Sequence, residues 1–258
     1  MRRRQLIRYA GASLLAAGGT TWMAGLGSDR ATAQSGGSLG IQYLGHTCFL
    51  FTGSGMRILV NPFRAIGCTA GYSLPKVQAD LVLISSQLWD EGAAEGLPGS
   101  PKVLFEPGVY EIGGIRFQGV SIAHDREGGR RFGMNVAWRW NQGGIRVLHL
   151  GGAAAPIEIE QKILLGSPDL ALVPVGGGPK AYNPQEAKQA IDALNPKIVI
   201  PTQYLTTAAD KAACDLVGVD EFLKLVEGTN VRKIGGNTMS LRPADIPKEG
   251  TAIRVLSY

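Results

Sequence analysis

Cysteine is scarce in this chain: three in 258 residues, at positions 48, 68 and 214. No two form a C-x-x-C pair, which excludes a zinc ribbon and a thioredoxin-type redox site. Heptads, internal repeats, low-complexity blocks, aromatic–basic RNA motifs and a lipid-anchor cysteine are also lacking. The glycine turn "VGGGPKA" has no Gly-Lys-Ser/Thr ending, so it suits backbone packing rather than a phosphate loop. Ser85 and Ser86 stand outside any nucleophile-elbow context and have no base beside them. A firm membrane span is missing too. The longest apolar run, "YAGASLLAAGGTTWMAGLG", is rich in glycine and interrupted by Thr20 and Thr21.

That run follows a basic start, "MRRRQLIR", and leads to the small-residue sequence "ATA" at Ala31 to Ala33. Arg3 and Arg4 with Leu6 and Ile7 look like a twin-arginine export signal. We expect residues 1–33 to be a cleaved signal peptide and residues 34–258 to form one domain in the periplasm or a thylakoid lumen, with no stable membrane span after cleavage. The signal also accounts for the charge. It holds five arginines and one aspartate, +4 of the formal +5. The remainder is nearly neutral, and the high pI therefore carries no implication of nucleic-acid binding.

Strand signals dominate the first half. "IQYL", "CFLF" and "RILVN" are separated by "GH" and "TGSG", as in an antiparallel meander. "ADLVLIS" reads as a buried strand, and "KVLF", "YEIGGIRFQGVSIA", "GMNVAWRW" and "GIRVLHL" continue the pattern. Helices come later. "PIEIEQKILLG" runs from Pro156 to Gly166, and "NPQEAKQAIDALNP" has Asn183 as its cap and Pro184 at its first position. "DEFLKLVEG" is the last helix, followed by strands "VRKI" and "TMSLR". "LALVPV" and "KIVIPT" flank the second helix as a parallel βαβ unit. Export permits a disulfide, and Cys48 and Cys68 are nearest in sequence; Cys48 lies in an apparent buried strand and suits a plain core thiol better.

Four segments taken together carry the functional reading: "YLGHTCFLF…RILVNPF", "LVLISSQLWDEG", "SIAHDREGGRRFGMNVAWRW…GIRVLHLGG" and "DLALVPVGGGPKAYNPQEAKQAIDALNPKIVIPTQYLT". Their order and flanks resemble the metallo-β-lactamase superfamily, in the branch of ascorbate-6-phosphate lactonase-like and related metal-dependent hydrolases, over residues 40 to 241. The resemblance implies an α/β fold, a four-layer αββα sandwich with metal loops along one edge of its sheets. It also implies where ligands belong. The family's H-x-H-x-D-H falls on Ser86, Leu88, Asp90 and Glu91. Its later His falls on His124, its bridging Asp on Gly152 and its last His on Gln203. Asn61 stands for the family's Asp before Pro62. His46 and His149 fall beside the site.

Only Asp90 and His124 survive among seven ligand positions. Zinc takes imidazole, thiolate or carboxylate at about 2.0–2.3 Å. Ser86 is a poor donor, Leu88 none, and Gly152 removes the bridging carboxylate. A two-ion hydrolase mechanism lacks its parts. Two readings of the acidic pair stay open. In one, Asp90 bonds loop amides and Glu91 begins a helix. In the other, Asp90, Glu91, His124 and Gln203 weakly hold one divalent ion, Mn²⁺ or Mg²⁺ more readily than Zn²⁺. The expected function is correspondingly divided. The leading expectation is a cofactor-free pseudo-hydrolase that binds a protein partner or a small anionic ligand, with Arg126, Arg130 and Arg131 as anion contacts. The alternative is a single-metal hydrolase of lactones, esters or phosphorylated sugars, in which His46 or His149 shuttles protons.

Overall fold

The structure is a computed structural model that describes residues 37–258. The signal read at residues 1–33 lies outside them. Fourteen strands form two sheets among the described residues. In chain order they are β1 (Leu39–Gly45), β2 (Cys48–Gly53), β3 (Met56–Val60), β4 (Leu81–Leu83), β5 (Lys102–Leu104), β6 (Gly108–Ile112), β7 (Ile115–Ala123), β8 (Met134–Gln142), β9 (Ile145–His149), β10 (Leu170–Pro174), β11 (Ile198–Thr202), β12 (Asn230–Lys233), β13 (Thr238–Leu241) and β14 (Ala252–Val255). The helices are α1 (Ile159–Leu165), α2 (Pro184–Leu194) and α3 (Val219–Leu225).

The first sheet has the order β13-β1-β2-β3-β4-β5 and the second β12-β14-β11-β10-β9-β8-β7-β6. Alternation decides which side chains meet between them. Tyr43, Phe49, Phe51, Ile58 and Val60 from one sheet pack on Phe117, Trp138, Trp140, Val147 and Leu172 from the other. The opposite face of the second sheet is covered by helices: Ala187, Ala190, Ile191 and Leu194 of α2 lie on Leu148, Ala171, Val173 and Val199. Burying Ile191 and Leu194 contributes about 1.5–3 kcal/mol each. The outer layer on the first sheet is built largely from loops. Phe63, Tyr72, Ala79 and Ala209 cover Cys48, Leu59 and Val82, helped by one 3₁₀ turn at Gly67–Thr69.

The βαβ unit forms as expected, with β10 and β11 parallel and Asn183 capping α2 by accepting from Glu186 N at 2.9 Å. The first helix begins later than its sequence suggests, at Ile159, where Gln161 Oε1 accepts from Glu158 N at 2.9 Å. β14 inserts between β11 and β12, parallel to both. Cys48 is the plain core thiol that its buried strand suggested, and the disulfide joins the other two cysteines, Cys68 and Cys214. No helix among the described residues is long and apolar enough to cross a membrane.

Candidate functional site

In sheets with parallel strands, sites form beyond the carboxyl ends of those strands. Here β3, β4, β7, β9, β10 and β11 bring Asn61, Ser85–Ser86, His124, Gly151–Gly152, Gly176 and Gln203 to one edge. Three non-glycine residues there take left-handed backbone: His46 at φ 54°, Asn61 at φ 49° and Gln203 at φ 49°. Such conformations cost energy and cluster at functional edges. Surrounding bonds hold them in place. Gln203 N donates to His46 O at 3.1 Å, and Asn61 Oδ1 accepts from Ser85 N at 2.8 Å.

Glu91 stands at the centre. It begins no helix: Glu91 N and Gly92 N both donate to Leu88 O, closing a turn that aims the side chain inward. Its carboxylate is fully buried, with Oε2 3.3 Å from His124 Nε2 and Oε1 accepting from Gln203 Nε2 at 3.0 Å. The position of Gly152 explains how it fits. A Cβ built on Gly152 would lie 2.5 Å from Glu91 Oε1 and against His124 Nε2. The Glu91 carboxylate therefore occupies the space that a side chain at 152 would need. Burial pushes the Glu91 carboxyl up, but the charge and hydrogen bonding of His124, then Lys180 and His46, override this and hold it down at about 2.

Asp90 does not join Glu91. It is half-buried and paired with Lys180 Nζ, so the four-residue set of Asp90, Glu91, His124 and Gln203 is not assembled. Lys180 is the residue sequence reasoning missed. It sits in the turn assigned to backbone packing, and the only hint was a lone cation beside that glycine run. Ser86 folds back on its own loop, accepting from Leu88 N at 3.2 Å, while Leu88 is half-buried.

The other expected contacts sort by geometry. His149 has both ring nitrogens engaged: Nδ1 accepts from Gly151 N at 3.0 Å, so Nε2 donates to Thr47 O at 3.0 Å. Burial moves its pKa down to about 4. Both of its ring nitrogens are thus committed to backbone groups of the fold. His46 is also buried, which lowers its pKa, though Glu91 and Asp90 pull the other way. Arg126 is committed elsewhere: it clasps Glu186 at 2.7 and 2.6 Å and donates to Gly178 O and Ala181 O. The loop after His124 is organised by Asp125, whose carboxylate accepts from Glu127 N, Gly129 N, Arg131 N and Phe132 N at 2.8–2.9 Å. Arg130 is exposed, and Arg131 lies 4.8 Å over the Phe132 ring.

The donor set does not fit a two-ion centre. Glu91 fills the space between His124 and residue 152, and no group of three or more His, Cys, Asp or Glu side chains assembles in metal-holding geometry among the described residues. Glu91 Oε2, His124 Nε2 and Gln203 Oε1 keep no well-aligned hydrogen-bond partner. They are a three-donor remnant, but these residues are at most 2% exposed. A catalytic ion needs a solvent-facing position as well.

The comparisons with known proteins agree with the architecture. Residues 40–203 match the β-lactamase superfamily domain. A UPF0173 metal-dependent hydrolase from Thermococcus onnurineus is 28% identical over 214 residues, covering 72% of this chain and 91% of the relative. Another, from Thermus thermophilus, is 30% identical over 189 residues, covering 64% of this chain and 84% of the relative. The solved structure of a protein from Thermotoga maritima, described as a Zn-dependent hydrolase of the metallo-β-lactamase superfamily, superposes with TM-score 0.68 at 31% identity, covering 85% of this chain and all of that one. Strand order, edge and sequence thus lead to one assignment: the chain belongs to the metallo-β-lactamase superfamily, among relatives named as metal-dependent hydrolases.

Proposed function

We propose that this protein is an exported pseudo-hydrolase, a metallo-β-lactamase-fold binding or assembly factor that works without a metal centre. One observation carries the reading. The buried Glu91 carboxylate fills the space that a side chain at 152, the family's bridging-carboxylate position, would need, with His124 and Gln203 as its partners. Protein charges replace metal charge, and the pocket becomes polar core. The surface beside it favours contact over turnover. Ile66, Leu74, Trp89 and Phe105 are exposed around two cavities that share Glu95, and the Arg64 guanidinium lies 3.4 Å over the Trp89 ring. The Cys68–Cys214 disulfide supports export, since such bonds persist in oxidising compartments.

A second reading, a single-ion hydrolase of lactones, esters or phosphorylated sugars, draws on Glu91 Oε2, His124 Nε2 and Gln203 Oε1, which keep no well-aligned hydrogen-bond partner. One measurement separates the two. The protein is purified without chelators, its metal content determined, and its melting followed with added Mn²⁺, Zn²⁺ or Mg²⁺. We expect substoichiometric metal and an unchanged Tm. About one equivalent of ion, lost in Glu91→Ala and accompanied by esterase or lactonase turnover, would overturn the proposal in favour of the second reading.

A further inference from the structure

Far from Glu91, at the opposite end of the second sheet, three arginines line one cavity of about 240 Å³. Arg116 lies near the start of β7, Arg139 in β8 and Arg146 near the start of β9, whereas His124 and His149 lie at the far ends of β7 and β9. Strand register brings them together. Gln118 is opposite Arg139, and Asn141 is opposite Arg146. All project from the helix-covered face, the one that carries Ala137 and Leu148 further along the same strands. Leu165, Ser167 and Pro168, at the end of α1 and just after it, close one wall.

The charges do not balance. Arg146 is neutralised by Asp169, which accepts from its Nε at 3.0 Å and its Nη2 at 2.6 Å. Arg139 is held in place by a neutral acceptor, Leu164 O, at 2.6 Å. Neither Arg116 nor Arg139 has a carboxylate in ion-pair range among the described residues; the ion pair here is that of Arg146. Glu111, opposite Arg116 in the β6–β7 register, does not reach it. Three guanidiniums and one carboxylate leave two positive charges facing one small cavity. The crowding is felt at Arg139, whose pKa is lowered by burial and then by the charges of Arg116 and Arg146. Evenly mixed surface charge relieves such repulsion, and here it persists.

We propose that this cavity binds a small phosphoryl dianion, inorganic phosphate or a phosphomonoester, between Arg116, Arg139 and Arg146. A phosphoryl group carries about −1.5 to −2 charge at neutral pH, which matches the unbalanced charge. Guanidinium forks suit its oxygens, and Gln118, Asn141 and Ser167 add neutral donors at the rim. The volume falls below the roughly 300–1,000 Å³ usual for drug-sized ligands, which favours a compact anion. The proposal does not depend on whether the Glu91 pocket is catalytic.

The test is melting and calorimetric titration of the mature protein with inorganic phosphate and with glycerol phosphate, at ionic strength held constant with sodium chloride. We expect a saturable rise in Tm with at least one of them. Arg116→Gln, which removes an exposed guanidinium without an ion-pair partner, should weaken binding about tenfold or more. Arg146→Gln should do likewise, each variant being compared with its own ligand-free baseline. Lys102→Gln, an exposed cation on β5 of the first sheet, should bind as wild type does. Tighter binding of glycerol phosphate would identify an ester as the ligand, and tighter binding of inorganic phosphate the free ion. A rise matched by sodium chloride alone, or an unchanged titration in Arg116→Gln, would overturn the proposal.

Discussion

Glu91 and Gly152 make sense only as a pair. A buried carboxylate is costly unless charges and hydrogen bonds surround it. Glu91 has His124 and Gln203, and it can reach them because residue 152 has no side chain. Gly152→Asp should therefore be severely destabilising, by roughly 4 kcal/mol or more. It would force a second carboxylate to within van der Waals overlap of the first. Glu91→His in the same chain should relieve part of that loss, since it removes the like charge and the contacts with Glu91 while the contact with His124 remains. Urea denaturation of the two single variants and the double variant gives the coupling directly, and additive effects would show that the two positions are independent. The substitutions at 91 and 152 were visible in the sequence, but their compensation was not. It depends on contacts across sixty residues of chain that no motif spacing records. The same holds for Lys180 and Asp90, ninety residues apart.

The loop after β7 is the element that links this edge to the rest of the fold. Asp125 gathers four backbone amides, and Arg126 reaches from there to Glu186 and to two carbonyls before α2. Glu186 also accepts from Asn183 N at 2.9 Å, so one carboxylate serves both the helix cap and the clasp. Arg126→Ala should cost only about 1 kcal/mol globally, because the pair is partly exposed. Its local effect should be larger: amide exchange should speed up in residues 125–133 and 176–183 and stay unchanged in β8 and β9. Uniform protection in the variant would mean that the clasp has no local role. Elements of this kind divide according to the range of their signals. The βαβ unit was legible because Asn183, Pro184 and the apolar spacing of α2 are local cues. β14 was not, since "AIRV" is short and owes its place to parallel partners at β11 and β12. In one of the two readings of the acidic pair Glu91 opens a helix, but the Leu88 turn claims its amide first.

Among the described residues, the helices cover the second sheet, and the first is covered largely by loops. Phe63 and Tyr72 come from the loop between β3 and β4 and Ala209 from a segment far along the chain, and a loop layer gains little from its own backbone bonds. The disulfide between Cys68 and Cys214 joins two of these segments across 146 residues. A crosslink closing so long a loop removes much unfolded-chain entropy, and loss of a native disulfide typically costs about 2–5 kcal/mol. Cys214→Ser should therefore lower stability by about that amount. The loss should be greatest where the loops shield Cys48, and a thiol reagent should modify Cys48 faster in the variant than in wild type. The disulfide also bears on the site. Loop 206–214 continues the chain from Gln203 and Tyr204, and Tyr72 Oη bonds Thr206 Oγ1 at 2.5 Å. If the bond holds the loop layer together, reduction should raise Cys48 reactivity without changing the fluorescence of Trp138 and Trp140, which lie between the sheets. A rise in Cys48 reactivity with a parallel change in that fluorescence would mean instead that the disulfide stabilises the whole fold through its unfolded state.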